Sequence, residues 1–132
     1  GGEGVLGRAV DGVMVGRMAW HRPWLMRHTD SVVYGGRDRC MTRREIIDEY
    51  VDYAENVQNT IGSSKCVADD IYGFPTSIMV RPLLGLFYGE SGGRKFKMRL
   101  SAEWEGNKGK IGIRELMDRA LEEIPIWVLD AR

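Results

Sequence analysis

The chain has 132 residues, enough for one domain with its own core, and 43% apolar with 29% charged residues excludes a disordered composition. Nineteen basic and nineteen acidic residues cancel, so no global field selects a polyanionic partner, and any such attraction has to come from a local patch. No apolar run approaches the ~20 residues of a membrane-spanning helix, and no signal peptide is visible in the sequence, which opens on Gly-Gly-Glu-Gly rather than Met.

Residues 1–10 are glycine-rich and read as a loop or the tail of a helix. Val13, Met14 and Val15 then form a short apolar run between Gly12 and Gly16, the pattern of a strand buried on both faces as in a parallel sheet. The stretch from Met18 to His28 suggests one or two short helical turns, with Pro23 near a helix start. S-V-V-Y-G-G leads into a polar loop through Cys40.

The clearest helix opens at Thr42. T-R-R-E is a capping box, in which the Thr42 hydroxyl accepts from the Glu45 amide and the Glu45 carboxylate reaches back. Ile46, Ile47, Tyr50, Val51, Ala54, Val57 and Ile61 follow at helical spacing, and Gly62 is a natural stop. A polar loop over 62–75 leads to S-I-M-V-R-P-L-L-G-L-F-Y-G, a helix apolar nearly all round and therefore central, with Pro82 kinking it or opening a new first turn. S-G-G breaks the chain before a basic helix with Phe96, Leu100 and Trp104 along one stripe. After the E-G-N-K-G-K loop, the last helix carries Ile113, Leu116, Met117, Ala120, Leu121 and Ile124 on one face, and Pro125 ends it.

One strand cannot make a sheet. The pattern therefore predicts the end of an α/β barrel followed by a helical domain. Cys40 and Cys66 have no metal-type spacing and read as free thiols of a reducing compartment. His21 and His28 have no metal-type partner at i+4, so no metal site is expected. Glu45 and Asp48 read as first-turn acids favoured by the helix dipole rather than as catalytic carboxylates.

Two segments carry chemistry. Gly16-Arg17 closes the short strand: a glycine admits a phosphate close to backbone N–H groups, and an arginine adds charge and a planar fork. A plain buried strand with a helix-capping arginine fits the spacing equally. Arg94, Lys95, Lys97 and Arg99 fall within six residues, and on a helix Arg94, Lys95 and Arg99 occupy the outer arc, with Lys97 beside the apolar stripe. Such an arc can neutralise RNA phosphates; a solvated helix face is the other reading.

The order and rough spacing of D-G-V-M-V-G-R-M-A-W-H-R-P-W (11–24), the following V-Y-G, and L-L-G-L-F-Y-G-E-S-G-G-R-K-F-K-M-R-L-S (83–101) resemble the C-terminal part of the tRNA-dihydrouridine synthases, A type. The second motif is the more specific. The resemblance implies a (β/α)8 flavin barrel as the α/β parent, of which this chain holds the last strand and the following helix (1–30), and a C-terminal helical bundle that grips tRNA (31–132). It implies an FMN-dependent oxidoreductase that reduces the C5=C6 bond of D-loop uridines with NADPH, in the cytoplasm. Gly16 and Arg17 would contact the flavin phosphate. Arg81 matches a basic position and would extend the patch of Arg94, Lys95, Lys97 and Arg99. Trp20 and Trp24 would pack between barrel and bundle. No catalytic residue of the family falls in this chain: Cys40 and Cys66 do not match its catalytic cysteine, and no Asn-Gly-Gly is present. The chain also departs from the family at Pro82, where a histidine is usual, in the length of 62–75, and in A-E-W-E after Ser101. These 132 residues alone are expected to be inactive. A stand-alone helical RNA-binding module without catalysis, or another FMN barrel oxidoreductase, are the alternatives.

Overall fold

The computed structural model of the chain describes residues 9–61 and 76–132. The glycine-rich start at 1–8, the loop expected over 62–75 and Cys66 within it lie outside the described residues. Within them the architecture is helical: α1 (Arg17–His21), a 3-10 turn (Pro23–Met26), α2 (Thr29–Tyr34), α3 (Arg43–Ile61), α4 (Thr76–Met79), a second 3-10 turn (Arg81–Leu83), α5 (Gly93–Gly106), α6 (Ile113–Leu121) and α7 (Ile126–Leu129).

The capping box sets the start of α3. The Thr42 amide donates to the Glu45 carboxylate at 2.8 Å, and the Glu45 amide donates to the Thr42 hydroxyl at 3.2 Å. From there Ile47, Val51 and Ala54 point into the core. They meet Met79 from α4, Val80, Leu83, Leu86 and Phe87 from the segment after it, Phe96 and Leu100 from α5, and Ile113, Leu116, Met117 and Ala120 from α6. Phe87 and Phe96 stack edge to face with centroids 4.9 Å apart. The α5–α6 pair has the most extensive contact between elements.

The apolar segment 76–89 is central, as its composition suggests, but it is not one helix. Pro82 has no N–H and its ring crowds the preceding turn, so α4 stops at Met79 and the proline opens a 3-10 turn. Gly85 then lies where a Cβ would come within 2.3 Å of the His21 carbonyl oxygen. Only a glycine lets this turn seat against residues 21–23. The two motifs on which the sequence resemblance rests therefore touch, and Arg22 also stacks over the Tyr88 ring at 4.1 Å. Gly92 caps α5 in the left-handed conformation (φ 82°), and a Cβ there would meet the Glu123 carbonyl at 2.2 Å.

Two expectations are corrected, and one segment without an assigned element gains one. Residues 13–15 form no strand: their backbone has no ladder partner among the described residues, and Val13 and Met14 are 82% and 88% exposed. A strand is completed by its neighbours, and here none is present to draw this run inward. The residues around S-V-V-Y form α2, closed by Gly35 in the left-handed region and by the Gly36 amide on the Asp30 carbonyl at 2.9 Å. Finally, α6 ends at Leu121. Ile124 is buried in the following turn, and Pro125 starts α7 rather than closing the chain's last helix.

Arg43 ties these pieces together. It is 2% exposed. Its guanidinium donates to the Leu86 carbonyl (3.0 Å), the Val128 carbonyl (3.4 Å) and the Glu90 carboxylate (2.8 Å), and stacks over Trp24 at 4.2 Å. Burial pushes its pKa below the ordinary arginine value and Glu90 pushes back. One side chain thus joins residue 24, the start of α3, the 86–90 turn and α7.

Candidate nucleic-acid interface

The rotation of α5 about its axis is fixed by what it buries. Phe96 and Leu100 enter the core, so Arg94, Lys95 and Lys97 face solvent. None of the three, nor exposed Arg81 beside the Pro82 turn, pairs with an acid among the described residues. Exposed cations not paired to an acid among the described residues suit a phosphate backbone.

Arg99, the fifth cation of the expected patch, is engaged elsewhere. It donates to Glu103 (2.8 Å), one turn on, and to Glu123 (3.3 Å) and Glu122 (3.5 Å) beyond the end of α6. Glu103 also accepts from Arg119 (2.7 Å), which reaches Glu115 (2.5 Å). Arg114, also on α6, pairs with Glu55 at 2.9 Å and with Asp52. The Arg119 and Arg99 guanidiniums hold the Glu103 carboxyl below its ordinary range, and Glu103 raises both arginines. The result is an acid-rich lattice across α3, the end of α5 and α6, unsuited to an anion. The Arg99 pairing to Glu103 was visible as an i, i+4 spacing; the two acids from the end of α6 were not.

Gly16 and Arg17 sit where α1 begins. Gly16 precedes the first turn and has only the Met14 side chain nearby, and Arg17 is exposed with no acid paired to it among the described residues. They are separate from the α5 arc in sequence. Trp24 packs on the core and against Arg43, whereas Trp20 is 54% exposed. Exposed apolar side chains concentrate in this part of the chain: Val13, Met14, Met18, Leu25, Val32 and Tyr34 among them. His28 Nδ1 lies 2.7 Å from Asp38, a carboxyl held low mainly by the Cys40 amide. No cluster of three metal-type ligands occurs among the described residues. No helix among them is long and apolar enough to cross a membrane.

One feature of the surface is not legible in the charge pattern. Beside the arc, between the α4 region, α5 and α6, an open cavity of about 330 Å³ is walled by aliphatic side chains and Trp104, with Lys97 at its edge. Lys97 and Trp104 lie seven residues apart on one helical stripe, which is the signal the sequence offers for it.

Comparison with known proteins gives a consistent result. A tRNA-dihydrouridine(20/20a) synthase of Vibrio vulnificus is 31% identical over 116 residues, covering 88% of this chain and 31% of the relative. The protein of the same name from Vibrio cholerae is 28% identical over 116 residues, with the same shares of each. That of Xanthomonas campestris is 32% identical over 91 residues, 69% of this chain and 23% of the relative. No family model matches the chain. No solved structure matches it either. The chain spans about a third of the length of the first two relatives. Over most of its length it is a homologue of the tRNA-dihydrouridine synthases.

Proposed function

We propose that these residues are the tRNA-holding part of a dihydrouridine synthase, an FMN-dependent oxidoreductase that reduces the C5=C6 bond of D-loop uridines in tRNA with NADPH. The observation that carries this is the similarity along 116 residues to proteins named for dihydrouridine 20/20a synthesis. The unopposed cations Arg81, Arg94, Lys95 and Lys97 support it, because they suit a folded RNA held by its backbone rather than read by its sequence. Arg99 is left out of that set, its charge being spent on three carboxylates.

Residues 1–30 would belong to a flavin barrel and 31–132 to the tRNA-binding domain. The concentration of exposed apolar side chains from Val10 to Leu25 supports assigning this part to a further layer that would cover them. Gly16 and Arg17 fit one corner of a phosphate site: a glycine crowded only by the flexible Met14 side chain, and an exposed guanidinium paired with no acid among the described residues. They do not make a flavin-ring pocket. Bound flavin would supply the hydride chemistry, and these two residues would hold its phosphate. The cytoplasm is the expected site of action.

The test is the binding of an unmodified tRNA transcript to the purified chain, followed by fluorescence anisotropy across a salt series. Four phosphate contacts give a slope of log K against log salt of about −3 to −4. Absence of binding, or binding indifferent to salt, would overturn the proposal. NADPH-dependent dihydrouridine formation by the 132 residues alone would overturn the assignment of the chemistry to a barrel beyond them.

A further inference from the structure

The cavity beside α5 has a composition that phosphate binding does not use. Its walls are Val80, Leu84, Leu100 and Leu116 with one hydroxyl from Ser77, one side is the half-buried indole of Trp104, and the exposed Ser101 and Lys97 complete the lining. At about 330 Å³ it falls in the range of small-ligand sites. A phosphate would gain nothing from aliphatic walls, and a single ammonium at the edge is placed to hold charge outside the cavity rather than within it. A flat heteroaromatic ring suits the interior: it is apolar on its faces, stacks on indole, and presents polar edges to a hydroxyl.

The arrangement along α5 points to where such a ring would come from. Arg94, Lys97, Ser101 and Trp104 follow one another at i, i+3, i+7 and i+10, so they share one face of the helix. From Lys97 to Trp104 the helix rises roughly 10 Å. A strand whose phosphates lie on Arg94 and Lys97 therefore runs past the mouth of the cavity. We propose that this cavity receives one unstacked nucleobase of the bound RNA, which stacks on Trp104 while Lys97 neutralises a neighbouring phosphate. The proposal rests on the tRNA-binding function above, and it assigns to α5 a base-capturing role in addition to electrostatic positioning.

The test fills the cavity without touching the cations. Ser101 is exposed on the helix, so Ser101→Trp places an indole across the opening with little effect on the core, and Ser101→Ala removes the hydroxyl without filling anything. Unmodified tRNA is titrated against each variant across the same salt series. Stacking of one base on an aromatic side chain predicts a 5- to 100-fold loss of affinity, in round figures, for Ser101→Trp with an unchanged salt slope, whereas Ser101→Ala, which removes only one hydroxyl, loses about two- to fivefold. Lys97→Ala, by contrast, lowers the slope by about one. If wild type binds tRNA with a steep slope and Ser101→Trp binds equally well, the base pocket is refuted while the tRNA-binding function stands. If wild type does not bind tRNA, that function itself has failed. Should Ser101→Trp not fold, as judged by circular dichroism, ultraviolet cross-linking of the wild-type complex replaces it. An RNA adduct on the peptide bearing Trp104 supports the pocket, and adducts elsewhere only refute it.

Discussion

Replacing Arg43 tests whether one buried guanidinium holds the bundle to the segment before it. In Arg43→Ala the Leu86 and Val128 carbonyls lose their donor, Trp24 loses the cation stacked on it, and Glu90 keeps a charge with no partner. Removing one member of a buried ion pair costs about 3–5 kcal/mol. Glu90 retains 32% of its side-chain exposure, so water recovers part of its solvation and the lower end of that range applies, about 3 kcal/mol. For a domain of this size the melting temperature falls by roughly 10–15 °C. Arg43→Lys keeps the charge but cannot reach three acceptors in one plane, and falls between wild type and Arg43→Ala. Thermal and urea unfolding followed by circular dichroism give the numbers, and Arg94→Ala, an exposed change, serves as the control within about 0.5 kcal/mol of wild type. An Arg43→Ala loss below about 1 kcal/mol would refute the reasoning, because the buried pair would then contribute no more than a surface one.

Gly85→Ala forces a Cβ to within 2.3 Å of the His21 carbonyl, so the 17–26 segment has to move; we expect a lower melting temperature and altered tryptophan fluorescence as Trp24 loses its seat. Thr42→Ala removes the cap of α3 and costs about 1 kcal/mol in urea unfolding. The Glu45 carboxyl is held below its ordinary 4.5, first by the Thr42 amide, and its folded pKa is therefore lower than its unfolded one. Its contribution is complete above the unfolded value and is lost as pH falls through the folded value, so the acid limb of a stability–pH curve below pH 4.5 is shallower in Glu45→Gln. Glutamine still serves the capping box, so Glu45→Gln and wild type converge in stability at the bottom of that limb.

Much of the helical body follows from local signals. The Thr42–Glu45 box, the α3 periodicity and the Phe96–Leu100 stripe each involve residues within a turn or two of one another, and the structure keeps them. What was not legible depends on distant partners. The run at 13–15 has the composition of a strand, but a strand exists only with a neighbour to pair with. Nothing local in T-R-R-E marks Arg43 as buried; its burial comes from Leu86, Glu90 and Val128, 43 to 85 positions away. Arg99 reads as part of an outward arc until Glu122 and Glu123 arrive from the end of α6. The cavity beside Trp104 needed the break at Pro82, which turns a would-be helix into a wall.

The central claim is that tRNA is held by the cations that have no acid beside them, not by those locked in the α6 lattice. The most direct measurement compares the salt slope of tRNA binding for wild type with that of Arg94→Ala/Lys95→Ala/Lys97→Ala. The account predicts a slope shallower by about three and a loss of affinity shared by all folded tRNAs. An unchanged slope in a variant that folds normally would contradict it.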